Sequence, residues 1–317
     1  MANKTGTKAK YLIGIDSGAT ASEVLIVQTP RAKALPPLVK RELRGVIKKY
    51  PPINFNVLGF DGSLKRLIHI IKDSSKRTGL KNTEFIAEGI SVARSEKVRT
   101  RLAKAVSKGI GFSKIKILPD TEIAFYSVFE HNRTNCGVLI AGTGSILIFR
   151  GPSLRFMRRG GWGRILGDEG SGWWIGREAL SAAAKRYDTA GKNSLLSKTL
   201  ESKFSLNEDN IIEEIYHKNF DISKITKEVF RLAENGDKIS NEIIRRAAQQ
   251  LAELLNAVGK TEHTIALCGS LFTEEKLLEK YLRKIVKDEF SYITLIKPER
   301  KPVWGAVEIA LRKLRVP

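Results

Sequence analysis

The sequence predicts an α/β protein built of two domains, and three observations lead to this prediction. The chain has 317 residues, which exceeds what one hydrophobic core usually supports. Short apolar segments alternate along it with amphipathic segments of helical spacing, the order typical of α/β architecture. An apolar hairpin pattern at residues 11–27 recurs about 125 residues later, at residues 136–149, and this weak internal repeat suggests two domains of related topology.

The first half of the chain begins with the stretch YLIGIDSGATASEVLIV. Two apolar segments flank a small-residue turn there, which predicts a β-hairpin of buried strands. Residues 30–56 are rich in Pro, Lys and Arg and indicate a strand with a loop. The spacing of apolar residues then predicts a helix at 63–75, a strand at 85–92, a helix at 95–107, a strand at 114–118 and a helix at 123–130.

The second half repeats the hairpin as CGVLIAGTGSILIF, residues 136–149. Apolar residues on one face of residues 240–258 predict a long helix, whereas residues 193–219 are polar and irregular to helical. The remaining predicted elements are helices at 177–190, 274–286 and 303–314 and strands at 264–268 and 292–296.

Composition and charge narrow the classes of function. The formal net charge is +21, from 55 Lys and Arg against 34 Asp and Glu, but the basic residues are spread along the chain without a nucleic-acid-binding signature. We therefore expect no dedicated nucleic acid partner. No apolar run is long enough for a membrane span, and the N-terminus lacks the apolar segment of a secretory signal. Cys136 and Cys268 lie in apolar runs, so a reduced, cytoplasmic protein is expected.

Two small-residue turns lie inside the hairpins. Small residues let backbone N–H groups approach an anion closely, and hydroxyl groups add donors, so such turns suit phosphate. Asp16 could orient Mg²⁺ through water, since this ion keeps several water ligands. Either turn alone could equally be a tight hairpin connection, but the pair favours phosphate binding. The candidate phosphate ligands are Ser17, Gly18, Ala19 and Thr20 in the first turn and Gly142, Thr143, Gly144 and Ser145 in the second.

Asp120 stands at the end of a predicted strand, directly before a helix. Ligands of open α/β sheets gather at this edge, and an aspartate there could accept a hydroxyl proton during phosphoryl transfer. The alternative is a helix N-cap, a role that Asp fills well. From the residue alone, the capping role is favoured.

The stretch GGWGRILGDEGSGWWIG, residues 160–176, holds three of the four tryptophans beside the adjacent carboxylates Asp168 and Glu169. It resembles the signature block of the BadF/BadG-type ATPase and N-acetylglucosamine kinase family, within the sugar kinase and actin-like ATPase superfamily. DSGATASEVLIV and IAGTGS resemble the two phosphate turns of that family. ALCGSLF resembles its adenosine segment and KPVWGAVEIAL its closing helix, so the resemblance spans nearly the whole chain in order.

The resemblance implies two ribonuclease-H-like α/β domains, at 10–130 with the closing helix 304–317 and at 131–303, with an interdomain cleft. It implies ATP and Mg²⁺ as cofactors and Asp120 as the general base on a sugar hydroxyl. Apart from the resemblance, Glu169 is expected to cap or brace rather than to bind, and packing is the expected role of Trp173 and Trp174, which lie where a helix begins. The implied sugar-binding residues are Asn54, Asp120, Thr143, Gly161, Trp162 and Asp168, and the implied adenosine-binding residues are Gly269 and Ser270.

The implied activity is an ATP-dependent sugar kinase acting on N-acetylglucosamine or a related amino sugar or hexose, with the small-molecule sugar as its partner. The family often forms homodimers, so a homodimer is one implied assembly. Ser17 and Ala19 stand where the family usually has glycine, and Ala93 and Arg94 depart from the amino-sugar kinases.

These departures leave alternatives open. One is an ATPase or nucleotide-switched regulator without kinase activity, and a weaker one is a sugar-binding protein without catalysis. The dehydratase-activator branch, which binds an iron–sulfur cluster through paired cysteines, is disfavoured because both cysteines lie in apolar runs.

Overall fold

A computed structural model describes residues 9–18, 21–29, 45–53, 55–91, 95–189 and 194–314. The chain divides into two compact units, of which unit 1 comprises residues 1–133 and 298–317 and unit 2 comprises residues 134–297. Each unit contains a five-stranded sheet with helices packed against it. The α/β class expected from the sequence is therefore confirmed.

The sheet of unit 1 is mixed. Its strands are β1 (Tyr11–Ser17), β2 (Ser22–Gln28), β3 (Gly45–Tyr50), β4 (Thr83–Ile90) and β5 (Ile115–Pro119). They lie in the order β3-β2-β1-β4-β5. The first three form an antiparallel meander, whereas β4 runs parallel to β1 and β5 runs parallel to β4. The carboxyl ends of β1, β4 and β5 therefore meet at one edge of the sheet.

The sheet of unit 2 repeats this arrangement. Its strands are β6 (Cys136–Ala141), β7 (Ser145–Arg150), β8 (Phe156–Gly160), β9 (His263–Cys268) and β10 (Ile293–Ile296). They lie in the order β10-β9-β6-β7-β8, with β6, β7 and β8 antiparallel and with β9 and β10 parallel to β6. The hairpin repeat in the sequence thus corresponds to a topology that the two units share.

Helices connect the strands in both units. They are α1 (Phe55–Ser74), α2 (Glu96–Ile110), α3 (Asp120–Val128), α4 (Gly172–Tyr187), α5 (Leu195–Phe204), α6 (Thr226–Glu234), α7 (Lys238–Leu255), α8 (Ser270–Glu274), α9 (Lys276–Glu289) and α10 (Val303–Lys313). Among the described residues, no helix combines the length and the apolar character needed to cross a lipid bilayer.

The two faces of the unit 1 sheet are covered by different helices. Ile13 and Ile15 of β1 share a hydrophobic core with residues of α1 and α2. Gly14 points to the opposite face, as successive strand residues do, and a Cβ atom there would lie 2.8 Å from a methyl group of Val307 in α10. Helix α10 also packs closely on α3, because a Cβ atom on Gly305 would lie 1.8 Å from the carbonyl oxygen of Ile123.

Unit 2 has the larger helical layer. Residues of α4, α5, α6, α7 and α9 join β6, β7 and β9 in one hydrophobic core. This core fixes the beginning of α4, since Trp174 is 4% exposed within it and Trp173 packs against it partly buried. The packing role expected for Trp173 and Trp174 agrees with this position.

Several elements differ from their predicted bounds, each for a local reason. Strand β8 is not predicted because it lies at the edge of its sheet with Met157, Arg158 and Arg159 exposed, so it lacks an apolar alternation. Helix α1 begins at Phe55 rather than at residue 63, and the positive φ of Gly59 interrupts its pattern. Helices α4 and α3 also begin earlier than predicted, and the short α6 is not predicted at all.

The two cysteines lie inside unit 2. Cys136 is on β6 and Cys268 is on the neighbouring strand β9, and both are buried thiols. Burial raises the pKa of Cys268 to about 12, which makes its thiol a poor nucleophile and metal ligand at neutral pH.

Candidate active site

In unit 1, two carboxylates lie at the carboxyl ends of neighbouring strands. Asp16 is next to last on β1, and its register partner on β4 is Gly89. Asp120 follows directly after β5 as the first residue of α3. A Cβ atom on Gly89 would lie 3.1 Å from the Cα atom of Asp120. A glycine at residue 89 therefore lets the beginning of α3 approach β4, and Asp16, Gly89 and Asp120 form a row along the sheet edge.

The electrostatic environment of this row raises both carboxyl pKa values. Desolvation raises the pKa of Asp16 to about 7, with further contributions from the nearby charges of Asp120 and Glu23. Desolvation raises the pKa of Asp120 to about 6, although the backbone N–H of Thr121, 2.8 Å from Oδ1, lowers it in part. A pKa near the working pH is suited to a general base.

Asp120 is not the N-cap of its helix. Pro119 holds that position, and Asp120 is the first helical residue. Its carboxylate nevertheless accepts the first-turn N–H of Thr121, a favourable position for a negative charge at the positive end of a helix.

Asp16 also fits a divalent cation of the kind that keeps several water ligands. Its neighbours Asp120 and Glu23 raise its pKa through their negative charges, and a bound cation would relieve this repulsion. Among the described residues there is no group of three or more His, Cys, Asp and Glu side chains that could hold a metal ion. Mg²⁺ does not require such a group, because it is commonly bound by one or two carboxylates with water and substrate phosphates.

The first turn is held by hydrogen bonds to the interior of unit 1 and within the turn itself. Ser17 is completely buried, and its hydroxyl donates to Oε1 of Glu88 at 3.1 Å. The backbone N–H of Gly18 donates to the carbonyl oxygen of Ala21 at 3.1 Å and closes the turn. Ser17 therefore has only its backbone to offer to a phosphate. The candidate ligands Ala19 and Thr20, and also the candidate sugar ligand Asn54, lie outside the described residues.

The second turn is fixed by the beginning of α4. The N–H of Gly172 donates to the carbonyl oxygen of Gly142 at 2.8 Å, and the N–H of Trp173 donates to that of Thr143 at 3.3 Å. The hydroxyl of Ser145 is buried and donates to the carbonyl oxygen of Glu169 at 2.7 Å. This bond joins the turn to the GDEGS segment through the backbone of Glu169. Thr143 has an exposed side chain, so its hydroxyl is free to meet a ligand.

Asp168 lies directly against the second turn. A Cβ atom on Gly144 would lie 2.7 Å from Oδ2 of Asp168, so only a glycine allows this approach. The φ angle of Asp168 is 61°, in the left-handed region, where residues other than glycine are uncommon and Asn and Asp are the most frequent of them. Its Oδ1 accepts the N–H of Gly163 at 3.2 Å. The loop thus holds a carboxylate beside a turn of candidate phosphate donors.

Trp162 is exposed rather than buried. Its side chain is 57% exposed, and the guanidinium carbon of Arg158 lies 4.3 Å from the centre of its ring. An N–H of Arg158 also donates to the carbonyl oxygen of Gly160 at 3.2 Å. Gly161 precedes the indole with a φ of 67°, and a Cβ atom there would meet Ile146 at 2.5 Å. The loop therefore presents a flat apolar face with an adjacent cation.

The segment after β9 reaches the same turn. Gly269 has a φ of 100°, and a Cβ atom on it would lie 2.2 Å from the carbonyl oxygen of Ala141, so no side chain fits there. Ser270 begins α8, and its hydroxyl oxygen lies 3.5 Å from the position of a Cβ atom on Gly142. Gly269 and Ser270 are thus direct neighbours of the second turn.

Each unit assembles part of the predicted set of site residues. Unit 1 brings together Asp16, Ser17, Gly18 and Asp120, and unit 2 brings together Gly142, Thr143, Gly144, Ser145, Gly161, Trp162, Asp168, Gly269 and Ser270. Sequence reasoning missed Glu88, Gly89 and Arg158. For Glu88 the available signal was a single carboxylate in the apolar run FIAEGI, and for Arg158 it was the cation preceding the glycine–tryptophan motif.

The amino-acid sequence is similar to that of one protein family and of individual known proteins. The sequence model of the BadF/BadG/BcrA/BcrD ATPase family matches residues 13–310. The chain is 27% identical to an N-acetylmuramic acid/N-acetylglucosamine kinase of Clostridium acetobutylicum over 95% of this chain and 98% of that protein. It is 29% identical to an N-acetyl-D-glucosamine kinase of Dictyostelium discoideum over 55% of this chain and 58% of that protein.

Solved structures share the fold. A protein of Chromobacterium violaceum, named as a candidate N-acetylglucosamine kinase, superposes with a TM-score of 0.75 at 20% identity, over 96% of this chain and all of that one. A protein of Porphyromonas gingivalis named in the same way superposes with a TM-score of 0.66 at 17% identity, over 96% of this chain and 99% of that one. At these identities the similarity concerns the fold.

Proposed function

Because the chain belongs to the BadF/BadG/BcrA/BcrD ATPase family, we propose that it transfers the γ-phosphoryl group of ATP to a hydroxyl group of an amino sugar. N-acetylglucosamine is the leading substrate, since two relatives are named as kinases of this sugar. The observation that carries the proposal is the single loop that holds Asp168 against the second turn and exposes the indole of Trp162. A carboxylate acceptor for hydroxyl groups and a flat apolar wall are what a sugar ring requires.

The proposed chemistry in unit 1 centres on Asp120. Its carboxylate takes the proton of the attacking sugar hydroxyl as the oxygen–phosphorus bond forms, and ADP leaves with the electron pair of the broken bond. Asp16 would hold Mg²⁺ through water, and the ion would supply positive charge to the phosphate oxygens when bound. The backbone of Ser17 and Gly18, with Ala19 and Thr20, would contact the phosphates.

The proposed contribution of unit 2 is binding and orientation. Asp168 accepts hydrogen bonds from sugar hydroxyl groups, Trp162 and Gly161 form the wall for the ring, and Thr143 contacts both sugar and phosphate. We assign the remaining proposed contacts as follows: phosphate to Gly142, Gly144 and Ser145 through their backbone, adenosine to Gly269 and Ser270, and sugar also to Asn54.

A coupled ADP-release assay tests the proposal. MgATP is offered with N-acetylglucosamine, glucosamine, N-acetylmannosamine, glucose or no sugar. We expect ADP only with one or two of the sugars, and mass spectrometry should then find the sugar phosphate. Equal ADP release in every well would contradict kinase activity. A sugar that binds in calorimetry without ADP release would instead indicate a binding protein without catalysis.

A nucleotide-switched ATPase is the second candidate function. It is favoured by the first turn, in which Ser17 and Ala19 are not glycines and the hydroxyl of Ser17 points inward to Glu88. ATP hydrolysis that is unaffected by every sugar would support it. We further propose the cytoplasm as the compartment, since ATP is supplied there, and a homodimer as an assembly that light scattering can test.

A further inference from the structure

Glu88 is a buried carboxyl group that the proposed chemistry does not use. It lies on β4 among apolar residues and is 1% exposed. Its Oε1 accepts the hydroxyl of Ser17 at 3.1 Å. Its Oε2 is buried and has no hydrogen-bond partner among the described residues. An acidic side chain that is buried and only half satisfied is unfavourable for folding.

An apolar side chain of similar volume in place of Glu88 would remove the unfavourable free energy of burying this carboxyl group. Burial, together with the nearby charge of Asp16, raises the pKa of Glu88 to about 8, although the bond from Ser17 lowers it in part. The carboxyl group is therefore largely neutral at pH 7. A neutral group behind a turn that receives phosphate avoids the repulsion that a carboxylate would cause. The position of the Glu88 carboxyl group behind the first turn therefore suits a functional role better than a stabilising one.

The bond from Ser17 links β4 to the first turn. Ser17 is the last residue of β1, and it lies between Asp16 and the turn residue Gly18. Its hydroxyl also receives that of Ser22 at 3.4 Å, and its carbonyl oxygen accepts the N–H of Ser91 at 3.2 Å. Glu88 thus anchors the residue from which the turn departs.

We propose that Glu88 is a positioning residue, which fixes Ser17 so that the backbone of Ser17 and Gly18 receives the phosphates of ATP. The inference rests on the part of the proposed function that places ATP at this turn. The hydroxyl of Ser17 is turned inward, away from the turn, and Glu88 is the group that receives it.

The test measures MgATP affinity by calorimetry for the wild type and for Glu88→Leu, Ser17→Ala, the double variant and Glu88→Gln. We expect Glu88→Leu and Ser17→Ala each to weaken MgATP binding about tenfold, the loss expected for one hydrogen bond. The double variant should be no weaker than either single one, because both remove the same bond. Glu88→Gln keeps an acceptor oxygen and should stay within about twofold of the wild type.

Two controls separate positioning from a structural role. Ser75→Ala removes another buried hydroxyl of unit 1, which donates to Ile71 at 2.7 Å, and should leave MgATP affinity unchanged. Glu88→Leu should melt at the same or a higher temperature than the wild type while it binds MgATP less well. If Glu88→Leu does not fold, Ser17→Ala with Glu88→Gln still tests the bond.

The inference is overturned if Ser17→Ala and Glu88→Leu bind MgATP within about twofold of the wild type, or if their losses add in the double variant. Because the readout is nucleotide affinity, it is independent of sugar phosphorylation. Unchanged MgATP affinity in variants of an active sugar kinase would reject the role of Glu88 alone. Weakened affinity in a protein that phosphorylates no sugar would reject the kinase proposal alone.

Discussion

At the residue scale, Asp120 combines two properties, of which a capping aspartate has only the first. One carboxylate oxygen is fixed by the N–H of Thr121, whereas burial raises the pKa of the group to about 6. The hydrogen bond orients the carboxylate, and the raised pKa makes it a better proton acceptor than an exposed aspartate. A capping residue would need the first property alone.

Asp120→Asn should lower kcat for sugar phosphorylation by about a thousandfold, because a positioned general base contributes about 10²- to 10⁴-fold. KM for MgATP should change little. Steady-state kinetics measure both constants, and Asp61→Asn, which alters an exposed aspartate of α1, serves as the control. In the wild type kcat/KM should rise with pH through about 6, as Asp120 loses its proton. Full activity of Asp120→Asn would exclude the proposed base.

Trp162 and Trp174 differ in exposure, so their substitutions should have different effects. Trp162 is 57% exposed and stacks under Arg158, whereas Trp174 is buried in the core. Trp162→Ala should raise KM for the sugar about tenfold, since ring stacking is worth about 1 kcal/mol or more, and leave the melting temperature nearly unchanged. Trp174→Ala should instead destabilise unit 2 by about 3–5 kcal/mol.

Calorimetric sugar binding and thermal unfolding of both tryptophan variants measure this difference. Equal loss of stability in the two would show that Trp162 is a packing residue. Unchanged sugar affinity in Trp162→Ala would remove the indole from the proposed site.

At the scale of elements, the contact between β4 and α3 sets the position of Asp120. Gly89→Ala would place a Cβ atom 2.3 Å from Cδ1 of Ile123 and 3.1 Å from the Cα atom of Asp120. We expect a loss of about 1–3 kcal/mol in unfolding free energy and a fall in kcat as α3 shifts. Denaturant unfolding and steady-state kinetics measure these two effects.

A second substitution distinguishes the causes. Ile123→Ala in the Gly89→Ala background removes the side-chain clash but not the contact with the backbone of Asp120. The loss of stability in the double variant should then be smaller than the sum of the two single losses, whereas kcat should stay low. Recovery of kcat would mean that the position of Asp120 does not depend on Gly89.

Individual strands and turns show which parts of the structure the sequence predicts and which parts it does not. Buried central strands such as β1 and β6 carry continuous apolar runs and are predicted well. The edge strand β8 carries Arg158 and Arg159 instead, so nothing in its pattern marks a strand. Small-residue composition located both turns. It could not show that the hydroxyls of Ser17 and Ser145 point inward, because that direction depends on Glu88 and on the backbone of Glu169, which are distant in sequence.

At the scale of the whole molecule, three desolvated carboxyl groups of unit 1, the buried Glu88 and the partly buried Asp16 and Asp120, link stability to pH. The pKa is raised to about 7 in Asp16, about 8 in Glu88 and about 6 in Asp120. Each folded pKa exceeds its unfolded value, so the folded state binds more protons and stability falls as pH rises from about 4 to about 8. Asp73 has the opposite sign, with its pKa lowered to about 2 by Lys76 and Tyr50, and its contribution is already complete above pH 5.

The melting temperature of the protein without nucleotide or Mg²⁺ should therefore drop by about 5 °C or more between pH 5 and pH 8. Differential scanning calorimetry measures this drop, and Asp16→Asn should reduce it. Added MgATP should diminish the drop by supplying a cation to the ionised carboxylates. A melting temperature that rises over the same interval would contradict the three raised pKa values.

The shared strand order of the two sheets also bears on the evolutionary origin of the chain. In each unit a meander of three strands is followed by two further strands that helices connect, and a helix follows the last strand in the chain, α3 after β5 and α10 after β10. This is the pattern that tandem duplication of an ancestral gene segment leaves. Between β8 and β9 unit 2 has the four helices α4–α7, where unit 1 has the single helix α1 between β3 and β4. Helix α10 follows β10 in the chain but belongs to unit 1, where it packs against α3.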